Sequence, residues 1–184
     1  MIFAKTPLQG DTTIIDIEPY EDFRGIFART VCYDEFALNG LNANFVQQSI
    51  SFNPKVGTLR GMHWQAKPFA EEKLVRVTRG AIFDVVVDIR PTSSTFKEWF
   101  SVELSADNRR QIYVPKGFAH GFQTILPDTE VLYEMTARHE LNASKGFLWN
   151  DPAINILWPV AEERIIGIRD CSYPNFNDVA FSEV

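Results

Sequence analysis

The stretch from Gly57 to Arg90 constrains the fold of this chain most, because it holds two kinds of β-strand pattern in succession. Between Lys73 and Val77 charged and apolar side chains alternate, which is typical of a strand with one buried face. From Ala81 to Ile89 almost every residue is apolar, as in a strand that is buried on both faces. Gly80 lies between them, where a turn favours a positive φ. The stretch therefore predicts a strand, a loop, a strand, a turn and a strand.

This apolar framework also carries ionisable side chains, namely Arg60, His63, Lys73, Asp84 and Asp88. If the strands direct them to one side, they converge in a pocket where burial and neighbouring charges tune their pKa values. The pattern predicts a catalytic site.

Short strand patterns recur about every 8–12 residues along the rest of the chain, separated by turn residues. The segments predicted to be strands are Thr13–Glu18, a segment from the Asp22–Phe27 turn through Val31, Asn44–Phe52, Trp99–Leu104, Gln111–Val114, Thr129–Thr136 and Ile165–Asp170. Only Tyr33–Leu38 is expected to form a helical turn or two. We expect an all-β fold: one domain over residues 1–184, built as a double-sheet β-barrel with short helical turns at its periphery.

Composition narrows the possible functions. The chain has 184 residues, and its net charge of −6 disfavours general binding to nucleic acids or anionic membranes. No apolar run approaches the roughly 18–20 residues of a membrane span, and polar residues follow Met1 too soon for a signal peptide. Cys32 and Cys171 lack a metal-type spacing and are expected to be unbonded thiols of a reducing compartment. We therefore expect a cytoplasmic protein.

Seven motifs in a fixed order carry a family resemblance. They are FRGIF at 23–27, TLRGMHWQ at 58–65, EKLVRV at 72–77, FDVVVDIR at 83–90, YVPKGFAHGF at 113–122, VLYEMT at 131–136 and WNDPAINILWP at 149–159. Together they resemble the dTDP-4-dehydrorhamnose 3,5-epimerase family over nearly the whole chain, from about Phe23 to Asp170. The resemblance implies a cupin-like jelly roll that inverts carbons flanking the ketone of a nucleotide-linked 4-keto-6-deoxyhexose, without a metal or organic cofactor.

The resemblance also implies catalytic roles. His63 matches the family's base, and a histidine is largely available as a base at neutral pH. Asp170 matches the carboxylate that fixes the tautomer of this histidine. Lys73 matches the cation beside the enolate oxygen, and Tyr133 matches the acid on the opposite face of the sugar.

Substrate contacts are implied at further positions. Arg24, Gln47 and Arg60 match substrate-contacting residues of the family, and His120 lies at a pocket position. Arg138 could add a contact to a phosphate or a base edge.

Each residue alone has an ordinary structural interpretation. His63 could cap a strand, Lys73 could lie on a solvated face, and Tyr133 could belong to the core or its rim. Asp170 and Arg24 could be surface residues, and His120 a structural histidine. The joint occurrence of all four chemical roles favours the catalytic interpretation.

The chain also departs from the family pattern. Ser49 replaces an asparagine, Ile26 an aromatic residue, and Arg138-His139 and Ser144 stand where the family often has Tyr-Tyr and a glutamate. Aromatic side chains would stack on a pyrimidine base, so their loss leaves the nucleotide and the sugar open. We expect only weak discrimination in favour of thymidine.

Two other functions remain open at this point. One is a metal-dependent cupin with His63, Gln65, Glu72 and His120 as ligands, although a glutamine stands where a His-x-His pair is usual. The other is a sugar-nucleotide-binding module without catalysis. We also expect a homodimer, on the family's pattern and because strands such as Thr13–Glu18 and Asn44–Phe52 are too apolar to leave their edges bare.

Overall fold

Short β-strands make up most of the regular structure in this computed structural model, which describes residues 1–10 and 12–181. The strands are β1 (Ile2–Lys5), β2 (Thr13–Asp16), β3 (Tyr20–Asp22), β4 (Gly25–Phe27), β5 (Gln47–Asn53), β6 (Thr58–Gln65), β7 (Lys73–Arg79), β8 (Ala81–Asp88), β9 (Trp99–Ser105), β10 (Gln111–Val114), β11 (Phe118–Thr124), β12 (Thr129–Met135), β13 (Ser144–Gly146) and β14 (Ile165–Ile166). The helices are α1 (Tyr33–Leu38) and α2 (Ile168–Cys171), with 3-10 turns at Leu141–Ala143 and Phe176–Asp178. In the described residues no helix combines the length and the apolar sequence needed to cross a bilayer.

Two sheets form the body of the molecule. The first has the strand order β1-β2-β10-β7-β12-β5, and the second has the order β13-β6-β11-β8-β9, with β14 parallel to β6. Strands β3 and β4 form a separate hairpin. The predicted fold class, an all-β, cupin-like double-sheet jelly roll with helical turns at its periphery, is confirmed.

The central stretch contributes one strand to the first sheet and two to the second. Strand β7 belongs to the first sheet and β8 to the second, so the turn between them carries the chain across the sandwich. Gly80 makes this turn with a φ of +76°, and a Cβ there would lie 2.3 Å from Thr129 Oγ1. The sequence predicted the turn correctly but did not reveal that the two strands belong to different sheets.

Two of the three apolar clusters in the molecule explain the burial of β8 on both faces. Val86 packs between the sheets, whereas Val85 and Val87 pack on the outer face of the second sheet, beneath Phe176 from the C-terminal segment. On the outer face of the first sheet, Phe36 of α1 covers a third cluster. The predicted burial of β8 on both sides is confirmed.

Several predicted boundaries were wrong. The strand expected over Ile165–Asp170 ends at Ile166, since Gly167 interrupts it and caps α2. Asp170 therefore lies on a short helix, where its N–H donates to the Gly167 carbonyl. The strand expected to run through Val31 ends at Phe27. Strand β1, which the sequence did not suggest, pairs with β2.

Candidate active site

A cleft of about 630 Å³ opens between the two sheets. Its lining combines strands of both sheets with the segment around α2: Ser51, Thr58, Leu59, Arg60, His63, Lys73, His120, Phe122, Tyr133, Ile165, Ile166, Gly167, Arg169 and Asp170. The cleft thus gathers all four residues that the family resemblance marks as catalytic.

Arg60 and His63 face the same cleft although they lie three residues apart on β6. In a regular strand this spacing would send them to opposite faces. The pairing of β6 with β11 shifts by one residue between His63↔His120 and Arg60↔Phe122, which is a β-bulge. Gly61, in the bulge, has a φ of +137°, and a Cβ there would lie 2.6 Å from the Cα of Gly121. The bulge and its glycine therefore bring both side chains to one wall.

His63 and Asp170 form a hydrogen-bonded pair on this wall. The distance from His63 Nε2 to Asp170 Oδ1 is 2.7 Å, and the Gly61 N–H donates to Asp170 Oδ2 at 3.2 Å. Burial opposes ionisation of Asp170, but the hydrogen bonds from His63 and Gly61, with the charge of Arg169, hold its pKa below the usual value. Because the ionised carboxylate accepts the Nε2–H, Nδ1 is left as the basic nitrogen of a neutral imidazole.

Lys73 and Tyr133 lie on the facing wall, contributed by the first sheet. Lys73 pairs with Met135 across β7 and β12, so Lys73 and Tyr133 share the inner face of that sheet. The Lys73 Nζ lies 3.1 Å from Glu71 Oε1, and both side chains are largely buried. The wall therefore carries a cation that is held in place by a neighbouring carboxylate.

Tyr133 remains a neutral phenol in this environment. Burial raises its pKa, the negative charge of Asp84 raises it further, and the positive charge of Arg60 lowers it. The ring packs edge-on against His120, with ring centroids 6.1 Å apart. A phenol that keeps its proton at neutral pH can act as a proton donor.

His120 has an aspartate partner of its own. Its Nε2 lies 2.7 Å from Asp84 Oδ2, and both side chains are buried between the sheets. The second Asp84 carboxylate oxygen, Oδ1, is buried and has no hydrogen-bond partner in the described part of the chain. The wall of the cleft therefore carries a second His–Asp pair, in which His120 lines the cleft and Asp84 is buried behind it.

Four of the ionisable or polar residues predicted for the site lie outside the cleft. Arg24 is exposed on the β3–β4 hairpin and forms an ion pair with Asp22. Gln47, on β5, accepts a hydrogen bond from the His139 N–H, next to the exposed Arg138. The expected convergence of Asp88 with the others was wrong. Asp88 ends β8, four residues or roughly 13 Å of strand beyond Asp84.

Sequence reasoning missed other residues of the site. Glu71, which holds Lys73, belongs to an ordinary acidic run, and only proximity reveals its role. Arg169 lines the cleft, and its guanidinium donates to Ser144 Oγ at 2.9 Å. Tyr173 packs against the His63 ring. For Arg169 and Tyr173, the one signal in the sequence was their closeness to Asp170 along the chain.

The ligand set of the metal hypothesis does not converge. The Gln65 amide donates to the Phe69 and Arg138 carbonyls, and Glu72 accepts from Asn42. Among the residues that the structure describes, no group of three or more His, Cys, Asp or Glu side chains is arranged to hold a metal ion. The metal-dependent alternative has no support in the geometry.

Fold and site together define a cupin-like jelly-roll protein that is equipped for proton transfer between facing walls. Residues 5–178 match the family model for dTDP-4-dehydrorhamnose 3,5-epimerase, and the chain belongs to this family. The predicted family and its isomerase class are confirmed.

Similar proteins and structures agree with this assignment. The chain is 39% identical to dTDP-4-dehydrorhamnose 3,5-epimerase of Salmonella typhimurium over 184 residues, covering 100% of both chains. A solved epimerase from Bacillus anthracis, with TDP and PPi bound, has a TM-score of 0.90 and 39% identity, covering 95% of this chain and 98% of the other. A Legionella pneumophila epimerase in complex with dTDP-4-keto-L-rhamnose has a TM-score of 0.90 and 35% identity, covering 97% of this chain and 94% of the other.

Proposed function

We propose that this protein epimerises a nucleotide-linked 4-keto-6-deoxyhexose, of the dTDP-4-dehydro-6-deoxyglucose type, at the carbons flanking the ketone. The observation that carries the proposal is the position of the His63–Asp170 pair on one wall of the cleft and of Tyr133 on the other. Inversion requires a base and an acid on opposite faces of the sugar, and the two walls supply them.

The first step removes a proton next to the ketone. His63 Nδ1 takes the proton. The C–H electron pair forms a double bond to the carbonyl carbon, and the C=O π pair moves onto the oxygen, which gives the enolate. The imidazolium that results is stabilised by Asp170, whose carboxylate accepts from Nε2 at 2.7 Å. Because its pKa is held low, Asp170 stays ionised throughout this step.

The enolate oxygen then needs a positive charge nearby. Lys73 lines the cleft on the wall opposite His63, with its ammonium group fixed by Glu71. A preorganised charge in a site that excludes water stabilises a developing oxyanion by several kcal/mol, roughly 3–4 for one donor in measured cases. We assign this role to Lys73.

The last step returns a proton to carbon from the other face. Tyr133 donates its hydroxyl proton to the enolate carbon and becomes a phenolate, which completes the inversion. The His63 imidazolium loses its proton to solvent and the Tyr133 phenolate regains one, so the enzyme is restored. The same cycle serves either carbon next to the ketone, once the sugar presents that carbon to His63.

The nucleotide is inferred from relatives and from the charge of the cleft. The Bacillus anthracis structure holds TDP, and the Legionella pneumophila structure holds a dTDP-linked ketosugar. Although the chain has a net charge of −6, Arg60 and Arg169 line the cleft and supply positive charge for a diphosphate. We therefore place the reaction in deoxysugar biosynthesis for cell-surface polysaccharides, with dTDP as the preferred carrier.

His120, which lines the same cleft, serves as a further substrate contact.

A homodimer of single-domain chains, each spanning residues 1–184, is part of the proposal. The β3–β4 hairpin exposes Phe23 at 98% and Phe27 at 81%, and β5 is an open sheet edge that exposes Ile50 at 63%. A second copy that covers these surfaces would bury them and close the edge. In such a dimer Arg24 would contact substrate only in the partner's cleft, because it lies outside the cleft of its own chain. Light scattering should give twice the chain mass of 21.0 kDa at micromolar concentration, and a monomer mass would refute the dimer.

A cytoplasmic location fits the state of the cysteines. Cys32 is half-buried and Cys171 is exposed, and both are free thiols. Free thiols persist in reducing compartments.

Incubation of the protein with dTDP-4-keto-6-deoxyglucose in D₂O, followed by NMR, tests the proposed reaction. We expect deuterium at C3, at C5 or at both, together with inverted configuration. Tight binding without any deuterium would instead identify a sugar-nucleotide-binding module. Elemental analysis of the same preparation, purified without chelator, tests the metal-dependent alternative.

A further inference from the structure

Tyr173 packs against the ring of the proposed base. The centroids of Tyr173 and His63 lie 5.6 Å apart, with the ring planes at 61°. Asp170, three residues earlier, hydrogen-bonds the same imidazole. The short segment from Asp170 in α2 to Tyr173, which lies just beyond the end of that helix, therefore contacts His63 twice.

The neighbouring strand leaves room for this ring. Gly146 on β13 lies directly opposite His63 in the pairing with β6. A Cβ at Gly146 would lie 2.5 and 2.6 Å from two carbons of the Tyr173 ring. Because Gly146 has no side chain, the Tyr173 ring can occupy the space next to it.

Arg169 fixes the ring from another side. Its guanidinium lies 5.6 Å from the Tyr173 centroid and donates to Ser144 Oγ at 2.9 Å. Tyr173 is half-buried, and burial raises the pKa of its phenol, so the ring presents no charge to Asp170 at neutral pH. The contact with His63 is made by the Tyr173 ring, whereas its buried hydroxyl lies near Arg169 and Ser144.

We propose that Tyr173 is a positioning residue for the epimerase reaction, whose ring covers the His63–Asp170 hydrogen bond and excludes water from it. The inference rests on the proposed role of His63 as base. A hydrogen bond from which water is excluded is stronger and better directed than an exposed one. Tyr173 thus holds the imidazole in the orientation in which Nδ1 meets the substrate proton.

Tyr173→Leu, Tyr173→Phe and a control, Tyr33→Leu, test the role of the ring. Tyr33 is 65% exposed on α1, away from the cleft. We expect Tyr173→Leu to lower kcat roughly ten- to hundred-fold with little change in KM, since misplacing a catalytic group can cost about 10²-fold. Tyr173→Phe keeps the ring and should retain the wild-type kcat, as should Tyr33→Leu. An unchanged kcat in Tyr173→Leu would overturn the proposal, as would an equal loss in Tyr173→Phe.

A second measurement separates this inference from the reaction itself. The NMR signal of the His63 Nε2–H can be assigned because it shifts in Asp170→Asn, which replaces the hydrogen-bonded carboxylate. In the substrate-free protein this signal reports how fast the proton exchanges with water. We expect faster exchange in folded Tyr173→Leu and the wild-type rate in Tyr173→Phe. An unchanged rate in Tyr173→Leu would show that the ring does not cover the pair. If the wild type labels no substrate, the proposed function fails, whereas this rate still decides the role of Tyr173.

Discussion

His63 and His120 are direct cross-strand partners on β6 and β11, and each has an aspartate within 2.7 Å of its Nε2. The two histidines differ in exposure, because the His63 side chain is 34% exposed and that of His120 only 5%. Their aspartates also differ in origin, since Asp170 comes from α2 and Asp84 from the neighbouring strand β8. We therefore propose that His63 meets a substrate proton directly, whereas the His120–Asp84 pair supports the wall around Tyr133.

This division of roles predicts a specific effect of Asp84→Asn. The variant removes the carboxylate that accepts from His120, which lies edge-on to Tyr133. We expect inversion to slow more than proton removal, because the His63–Asp170 pair is left intact. Deuterium exchange and product configuration, measured by NMR in D₂O, give the two rates. Asp16→Asn, which disturbs a half-exposed ion pair with Arg110, is the matched control. Equal effects on exchange and inversion would contradict the assignment.

Asp88→Asn should affect stability but not catalysis. The buried Asp88 carboxylate accepts from Arg90, Ser93 and Thr95 at 2.5–2.9 Å, outside the cleft. Removal of one partner of a buried ion pair costs about 3–5 kcal/mol, and the shape of asparagine should keep the loss near the lower end. Urea unfolding measures the loss, and kcat per folded molecule should equal that of the wild type. A fall in kcat at unchanged stability would contradict this account.

Asp170 makes stability depend on pH. Its pKa is lowered in the folded protein, whereas an unfolded aspartate titrates near about 3.9. The unfolded chain therefore binds more protons in this range, so the stabilisation is present above about pH 4 and is lost as pH falls through the folded pKa. We expect the free energy of unfolding of Asp170→Asn to fall less steeply from about pH 5 to pH 3 than that of the wild type. Urea titrations at each pH measure both slopes, and equal slopes would contradict the prediction.

Nucleotide preference tests the interpretation of the family departures. Ile26 lies on the exposed hairpin, Arg138 is exposed, and Ser144 binds Arg169. Each lost aromatic contact would cost about 0.5–1.5 kcal/mol of stacking, so we expect only weak preference for dTDP over UDP, CDP and GDP. Calorimetric titration with the four diphosphates measures the preference. If dTDP binds ten-fold or more tightly than every other diphosphate, this interpretation of the substitutions is wrong.

The fold was largely predictable because the strand patterns are local. The apolar run of β8 indicated burial on both faces, and alternation located β7 and β12. The assignment of β7 and β8 to different sheets was not visible, since it depends on long-range pairing. The predicted ends of strands were wrong where a single residue ends the strand, as Gly167 does between β14 and α2.

The site was predictable only in part. His63, Lys73 and Tyr133 were found through family motifs, and the structure brings them to one cleft. The bulge that turns Arg60 and His63 to one face has no local sequence signal apart from Gly61. The contacts of Glu71 and Tyr173 join residues in different elements, so only the folded chain reveals them.

In the proposed mechanism His63 and Tyr133 act from opposite faces of the sugar. Deuterium labelling of dTDP-4-keto-6-deoxyglucose by His63→Ala and Tyr133→Phe tests it most directly, with the wild type as control. We expect His63→Ala to lose exchange by about 10²–10⁴-fold, the usual contribution of a general base. Tyr133→Phe should still exchange the substrate proton but return deuterium to the face from which the proton left, so configuration is retained. An equal loss of exchange in both variants, or inversion by Tyr133→Phe at the wild-type rate, would contradict the account.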